Sequence, residues 1–385
     1  MLKTSKKANI IEPSLTRDLF NRALQFNDVI NLTLGDPDFA PLPEIQQAAC
    51  MAIIEGKTHY SANAGLLELR QEIAKSFNRE YHLNCDPKSE IIVTVGGMEA
   101  LYLAISSIVD PGDEVIVFAP YYVNYVQMIR MNGGTPVIID TDAANDFSID
   151  LTNLEHSITS KTVAIIINSP CNPTGHMYPA DMLAGIAKIA KKHDLYIISD
   201  EVYKTLIYDN QKHHSVLENP EIQDHVILID SISKKYSMTG WRLGWAIGNS
   251  AVISAMTKMQ ENVAACAPLP SQYAVMDALK QDLASDNLRN AFQARRDCIY
   301  TLLSSCKKLS VSKPSSTFYI FVGIQETGMK SVDFALALLE KEHVAVVPGR
   351  AYGASYDNYI RIAFTQDIKV LETACEKIKH FVEAL

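Results

Sequence analysis

The sequence predicts an α/β protein with a large domain built on a mostly parallel mixed sheet covered by helices, and a smaller α+β domain. In the middle of the chain, short segments rich in Val and Ile alternate with amphipathic helical patterns. Nearly continuous apolar strands of this kind are typical of a parallel sheet buried on both faces. After about residue 268 the pattern changes to long helices and isolated strands. A length of 385 residues accommodates two domains.

The periodicity and the bounding turn residues predict each element in turn. The predicted strands of the middle region are 91–95, 114–118, 136–140, 162–168, 195–199 and 226–230, with helices at 99–109, 123–132 and 180–193. Further on, we predict a helical stretch at 271–305, strands at 317–322, 344–347 and 359–364, and helices at 332–341 and 368–385. The first 45 residues lack the alternation, and we expect them to pack against the C-terminal part. The predicted domains are therefore a large domain, 46–270, and a small domain, 1–45 with 271–385.

Composition narrows the class of protein. A formal net charge of -9 argues against a nucleic-acid partner. No apolar run approaches the roughly 18 residues that a membrane helix needs. The seven cysteines are scattered without a CxxC pair, and the histidines lack metal-ligand spacing. We therefore expect a cytoplasmic protein with reduced thiols, no metal and no membrane partner.

Candidate site residues follow the predicted strands, because ligands of open α/β sheets bind beyond the carboxyl ends of the strands. Gly97 and Met98 lie between a strand and a helix, where backbone N–H groups can approach an anion, although for these residues alone a plain strand-to-helix turn is the better interpretation. Asn172, in SPCNPTG, lies in a rigid turn and can donate to a ligand oxygen. Asp200 ends a buried strand, where a carboxylate needs either a cationic partner or a capping role.

The segment 231–244, SISKKYSMTGWRLG, is the most informative. Lys234 can form an imine if the site lowers its pKa. Ser231, Ser233 and Arg242 are suitable donors to a phosphate. A basic surface loop is the alternative interpretation, but Trp, Gly and Leu interleave with the charges.

These motifs, in this order, resemble the class I aminotransferase family, pyridoxal-phosphate enzymes of fold type I. The resemblance extends from LGDP at 34–37 to RIAF at 361–364. It implies transfer of an amino group between an L-amino acid and a 2-oxo acid by a ping-pong mechanism. Lys234 would hold pyridoxal 5'-phosphate as a Schiff base and move the substrate proton. Asp200 would pair with the pyridinium nitrogen.

The resemblance implies roles for further residues. Asn172 and Tyr203 would bond the phenolic oxygen of the cofactor, and Tyr122 would stack on its ring. The phosphate would be held by Gly97, Met98, Ser231, Ser233 and Arg242, with Tyr60 reaching it from the neighbouring subunit of a homodimer. Arg361 would clamp the substrate α-carboxylate, assisted by the Gly35 backbone and Asn172.

Two positions depart from the related members that act on aspartate. Those members often carry Lys and Trp where this chain has Met98 and Tyr122, and no arginine occurs in 262–268. We therefore expect aromatic or larger aliphatic side chains to be favoured over aspartate. A C–S β-lyase on the same fold is the alternative, distinguished by release of pyruvate and ammonia without an acceptor. A ligand sensor fused to a DNA-binding domain is disfavoured, because only about 30 residues precede Leu34.

Overall fold

The computed structural model describes residues 3–141, 143–281 and 286–385. Its strands are β1 Ile30–Asn31, β2 Ile91–Thr94, β3 Glu114–Ala119, β4 Thr135–Asp140, β5 Thr162–Asn168, β6 Tyr196–Asp200, β7 Val226–Ser231, β8 Gly244–Ile247, β9 Ser310–Val311, β10 Tyr319–Gly323, β11 Val344–Ala345, β12 Val347–Pro348 and β13 Tyr359–Ala363. Its α-helices are α1 Lys6–Asn9, α2 Leu15–Ala23, α3 Pro43–Ile54, α4 Leu67–Tyr81, α5 Gly96–Ile108, α6 Asn124–Met131, α7 Leu151–His156, α8 Ala180–Lys192, α9 Ile232–Lys235, α10 Ser250–Val263, α11 Leu269–Lys280, α12 Asp286–Ser304, α13 Ser331–Glu342 and α14 Ile368–Glu383. Among the described residues no helix is long and apolar enough to cross a membrane.

The central sheet has the strand order β2-β8-β7-β6-β5-β3-β4. Strands β3 to β7 pair in parallel, whereas β8 runs antiparallel to both of its neighbours. This arrangement confirms the predicted mostly parallel mixed sheet. Strand β8 was not predicted, because it has only four residues and begins at Gly244, where the segment that we interpreted only as a binding motif ends.

Helices cover both faces of this sheet because successive side chains of each strand point to opposite sides. Ile197 and Leu228 belong to the core cluster formed with α4, α8 and α11. Ile198 and Ile229 belong to the cluster formed with α5, α6 and α10 on the other face. The uninterrupted apolar sequence of the strands follows from burial on both faces.

A second, antiparallel sheet has the order β12-β13-β10-β9. Its buried residues share a core with those of α12, α13 and α14. The N-terminal strand β1 pairs in parallel with β11, Ile30 opposite Val344. This pairing brings the N-terminal segment alongside the C-terminal part of the chain.

Three predicted elements were wrong in detail. The stretch 271–305 is not one helix but α11 and α12, and the part of the prediction over residues 282–285 lies outside the described residues. The strand predicted at 344–347 is divided at Val346, because β11 pairs with β1 whereas β12 pairs with β13. The strand predicted from residue 317 begins at Tyr319, since Thr317 has a φ of 61°.

Candidate active site

A cavity of about 520 Å³ opens at the carboxyl ends of the central strands. All the predicted site residues except Tyr60 line it: Gly35, Gly97, Met98, Tyr122, Asn172, Asp200, Tyr203, Ser231, Ser233, Lys234, Arg242 and Arg361. Tyr60 lies outside the cavity, and 87% of its surface is exposed. The structure therefore brings together residues that are far apart in sequence, from Gly35 in the N-terminal segment to Arg361 of β13.

The parallel register of the strands explains this convergence. Asn168 of β5 lies opposite Asp200 of β6, and Asp200 lies opposite Ile229 of β7. All three strands therefore end at one edge of the sheet, and the residues that follow each end meet there. Ser231 ends β7 and caps the short helix α9 by accepting a hydrogen bond from the Ser233 N–H at 3.0 Å. Lys234 lies on that helix.

Lys234 is held across the cavity by the N-terminal segment. Its Nζ donates to the Gly35 carbonyl oxygen at 2.6 Å. Burial lowers the pKa of Lys234 to about 8; Asp36 opposes the shift, and the positive charges of Arg361 and Arg242 add to it. A lysine with this pKa is partly neutral near neutral pH, so it can serve as a nucleophile and as a base.

Asp200 is buried at the end of β6, and its partner is a tyrosine that the sequence analysis missed. Tyr125 Oη donates to Asp200 Oδ2 at 2.5 Å. Burial raises the pKa of Asp200 to about 6, while the hydrogen bond from Tyr125 lowers it. Among the described residues no cationic side chain forms an ion pair with this carboxylate. Tyr125 looked like an ordinary core residue of an amphipathic helix, and no sequence signal separates the two roles.

The start of α5 forms a surface suited to an anion. This helix begins at Gly96 without a side-chain cap, so its first N–H groups are not satisfied by a capping side chain. A Cβ added to Gly96, whose φ is +76°, would lie 2.7 Å from Arg242 Nη2. A Cβ added to Gly244 would lie 2.5 Å from the Gly97 nitrogen. The missing side chains therefore let the guanidinium group and β8 approach the helix end closely.

Arg361 is buried on β13 with its guanidinium group only partly satisfied. Nη1 donates to Asn172 Oδ1 at 3.1 Å, and Nη2 donates to the Thr33 carbonyl oxygen. Its Nε is buried and has no hydrogen-bond partner among the described residues. The ring of Tyr319 lies 4.3 Å from its Cζ. A buried arginine of this kind lacks the carboxylate that normally compensates it, and a ligand can provide one.

Neutral side chains form the remaining walls. Tyr203 Oη lies 3.2 Å from Tyr319 Oη. Tyr122 Oη donates to Met98 Sδ at 3.3 Å, and Asn124 Nδ2 donates to Tyr122 Oη at 3.0 Å. The sequence analysis did not single out Tyr319 or Asn124, because neither lies in a recognisable motif.

The N-terminal helix α2 also contributes to the cavity, through Thr16 and Arg17. Arg17 lies in no recognisable motif and was not predicted as a site residue. Gly35 packs directly against Tyr319, since a Cβ at Gly35 would fall 1.7 Å from the tyrosine hydroxyl. The cavity is therefore closed on one side by residues that precede the central sheet in sequence.

Comparison with known proteins agrees with this geometry. The family model of class I and II aminotransferases matches residues 27–378. An aspartate aminotransferase from Pyrococcus abyssi is 37% identical over 378 residues, and the alignment covers 97% of each chain. Aromatic-amino-acid aminotransferase 2 from Thermococcus litoralis is 34% identical over 378 residues, again with 97% of each chain covered. The structure of aspartate aminotransferase from Thermus thermophilus with maleate has a TM-score of 0.94, at 35% identity over 100% of both chains.

These full-length similarities are all to aminotransferases, so they support amino-group transfer and not the lyase alternative. The cavity residues, the fold and the relatives lead to the same conclusion: the chain belongs to the class I and II aminotransferase family and is an aminotransferase.

Proposed function

We propose that this aminotransferase binds pyridoxal 5'-phosphate in the cavity and transfers an amino group between an L-amino acid and a 2-oxo acid by a ping-pong mechanism. The observation that carries the proposal is the placement of Lys234, a lysine with a lowered pKa, in one cavity with Asp200, a buried carboxylate without a cation. An amine that forms an imine and a carboxylate that accepts a protonated ring nitrogen are the two groups that this cofactor requires.

The residues present fit the other parts of the cofactor. A phosphate would be bound by the uncapped first turn of α5 at Gly97 and Met98, with Ser231, Ser233 and Arg242 as further donors. Asn172 and Tyr203 would hold the phenolic oxygen, and Tyr122 would lie against the ring. Each of these side chains lines the cavity.

When bound, pyridoxal phosphate supplies an aldehyde that combines with amines and a ring that withdraws electrons from the substrate α-carbon. The ionised carboxylate of Asp200, which accepts a hydrogen bond from Tyr125, would pair with the ring nitrogen and favour its protonated form. Lys234 Nζ would accept the proton from the substrate α-carbon and later give it up again at the cofactor. Its lowered pKa makes the neutral, basic form accessible near neutral pH.

Arg361 positions the substrate for that proton transfer. Its guanidinium group would bind the α-carboxylate through two parallel hydrogen bonds, and the unpartnered Nε is available for one of them. Asn172 Oδ1 and the Thr33 carbonyl oxygen fix the orientation of the guanidinium group. The Gly35 backbone, whose carbonyl oxygen accepts a hydrogen bond from Lys234 Nζ, would assist in binding the α-carboxylate.

We also propose that aromatic or larger aliphatic side chains are favoured over that of aspartate. Met98, Leu101, Tyr122 and Val123 supply an apolar wall of the cavity. Relative rates with aspartate, glutamate, phenylalanine, leucine and methionine test this. A strong preference for aspartate over all the others would contradict it.

A homodimer with Tyr60 completing the phosphate site of the partner is the proposed assembly. Tyr60 is exposed, and so are the apolar side chains of Ile53, Ile54 and Val263. A monomeric mass in solution at micromolar concentration would contradict this assembly. For the domains, we propose the division into 46–270 and 1–45 with 271–385. The separate core clusters of the two sheets support two domains, but the buried side chains of α11, Leu269–Lys280, pack in the core of the large sheet.

The visible absorption spectrum with added pyridoxal phosphate tests the central proposal. The wild-type protein should show a cofactor band that changes on addition of a suitable amino acid. Lys234→Ala should lack the band of the lysine-bound cofactor, whereas Lys235→Ala, at the neighbouring lysine, should keep it. Absence of the band in the wild-type protein would overturn the proposal, and pyruvate and ammonia released without an acceptor would identify a lyase.

A further inference from the structure

Asn168 lines the cavity, yet the proposed function does not use it. It is the last residue of β5 and lies opposite Asp200, the last residue of β6. Only 8% of the Asn168 surface is exposed. A buried amide is normally satisfied by one group that accepts and one that donates, so its two partners indicate what the residue does at this position.

The two ends of the Asn168 amide join neighbouring strand ends. Nδ2 donates to the Asp200 carbonyl oxygen at 3.1 Å, and Oδ1 accepts from the Asn172 backbone N–H at 2.8 Å. Because a carbonyl oxygen only accepts and a backbone N–H only donates, these partners fix the orientation of the amide. The Asp200 carbonyl oxygen also accepts from the Ser169 N–H at 3.2 Å. The turn that follows β5 is therefore attached to the end of β6 by a side chain as well as by the backbone.

The two residues that Asn168 joins are those proposed to bind different atoms of one cofactor ring. The Asp200 carboxylate would bind the ring nitrogen, and Asn172 would bind the phenolic oxygen. Asn172 Oδ1 accepts from Arg361 Nη1 at 3.1 Å, so its Nδ2 is the amide group that can donate to that oxygen. The ring is rigid, and both contacts therefore form only if the separation of Asp200 and Asn172 matches the separation of the two ring atoms.

A second asparagine forms the same pattern of hydrogen bonds away from the cavity. Asn249 Nδ2 donates to the Asp224 carbonyl oxygen at 2.7 Å, and its Oδ1 accepts from the Val252 N–H at 3.0 Å at the start of α10. Asn249 is not among the residues that line the cavity, and its amide caps a helix. Asn168 differs because both of the residues that it joins line the cavity.

We infer that Asn168 is a positioning residue, which sets the separation of Asp200 and Asn172 so that both contact the same cofactor ring. This inference rests on the proposed function and adds a residue that acts on the cofactor through its neighbours. Both ends of the Asn168 amide bind the protein. An amide or a protonated carboxyl group can donate to one carbonyl oxygen and accept from one N–H at the same time, whereas a carboxylate can only accept.

The test measures the dissociation constant of pyridoxamine 5'-phosphate by equilibrium dialysis at pH 8.5 and at pH 5.5. This amine form of the cofactor does not react with Lys234, so its affinity reports the non-covalent contacts alone. We expect Asn168→Leu, which removes both hydrogen bonds, to raise the dissociation constant about tenfold over the wild type at both pH values. Asn168→Asp should raise it about tenfold at pH 8.5 and less than about threefold at pH 5.5. Burial raises the pKa of the introduced carboxyl group, and its protonated form can again donate.

Asn249→Asp is the matched control and should stay within about twofold of the wild type at both pH values. The titratable groups of the cavity, such as Asp200, Tyr203 and Lys234, are common to all variants, so the ratio to the wild type removes their contribution. Asn168→Asp keeps the shape of the side chain and remains a test if Asn168→Leu does not fold.

Thermal unfolding of the cofactor-free variants separates positioning from folding. A lower Tm with an unchanged dissociation constant would overturn the inference, because Asn168 would then only stabilise the fold. A ratio for Asn168→Asp that does not fall at the lower pH would also overturn it. A wild-type protein that binds neither pyridoxamine phosphate nor pyridoxal phosphate would instead overturn the proposed function, and the inference with it.

Discussion

The buried side chain of Lys204 and its ion pairs provide a test of the interactions that stabilise this fold. Lys204 Nζ lies 3.1 Å from Glu80 Oε2 and 3.3 Å from Asp230 Oδ2, and 3.8 Å from the ring centroid of Phe77. Only 5% of the Lys204 side chain and 7% of the Asp230 side chain are exposed, against 39% for Glu80. Burial opposes the charge on Lys204, but the carboxylates of Asp230 and Glu80 outweigh it and raise its pKa.

Replacing Lys204 by Met keeps the volume and the contact with Phe77 but leaves Asp230 as a buried, unpaired carboxylate. Removing one partner of a buried ion pair costs about 3–5 kcal/mol. Glu80 can turn to solvent and Asp230 keeps its hydrogen bond from the Ser231 N–H at 2.7 Å, so we expect the lower end, about 3 kcal/mol. With an unfolding entropy of about 2.1 cal/mol/K per residue, a chain of 385 residues that unfolds as one unit should lose about 4 °C in Tm.

Calorimetry of the cofactor-free protein at pH 7.5 measures this loss. Lys191→Met is the matched control, because Lys191 forms a surface pair with Glu221 and is 49% exposed; it should cost less than about 1 kcal/mol. Asp230→Asn added to Lys204→Met should restore most of the loss by removing the unpaired charge. The single variant should also be less destabilised at pH 5 than at pH 8, since Asp230 can then be protonated. A loss in Lys204→Met no larger than in the control, or no recovery in the double variant, would refute the reasoning.

Three further predictions concern titrating groups of the site and its surroundings. Burial raises the pKa of Glu201 to about 8 against an ordinary 4.5, so the folded protein keeps this proton to higher pH. The contribution of Glu201 to the free energy of unfolding should therefore fall as pH rises from 5 to 8, and in denaturant titrations the Glu201→Gln variant should lose less stability over this range than the wild type. The rate at which Lys234 reacts with added pyridoxal phosphate should rise with pH through a midpoint near 8, because only the neutral amine attacks the aldehyde. A midpoint near 10.5 in stopped-flow absorbance would contradict the lowering of the Lys234 pKa by burial. Tyr125→Phe removes a hydrogen bond that lowers the pKa of Asp200, so more of the carboxyl group is protonated at pH 6.5. The dissociation constant of pyridoxal phosphate should therefore rise about tenfold at pH 6.5 and less at pH 8. An equal rise at both pH values would argue against the pKa of Asp200 as the cause.

The local pattern of apolar residues was sufficient to predict most strands of the central sheet. The Val- and Ile-rich segments that became β5 and β7 are apolar along their whole length, and only burial on both faces accounts for that. Short elements with little pattern of their own were less accessible. The four residues of β8 pair with β2, and the two residues of β11 pair with β1, so both strands depend on partners far away in sequence; the two-residue strand β12 depends on its pairing with β13.

The residues of the candidate site also divide into those that the sequence predicts and those that only the structure identifies. The sequence by itself determined the residues that lie in contiguous motifs, Lys234 with its phosphate-binding neighbours above all, because the register of a strand end and a helix start places them together. Only the tertiary structure decided that Tyr125 bonds Asp200 and that Arg17 reaches the same cavity as Arg361. These contacts join elements that are distant in sequence and share no motif. Their geometry is produced by the packing of the sheet, the helices and the N-terminal segment against one another. A short stretch of sequence contains no information about that packing.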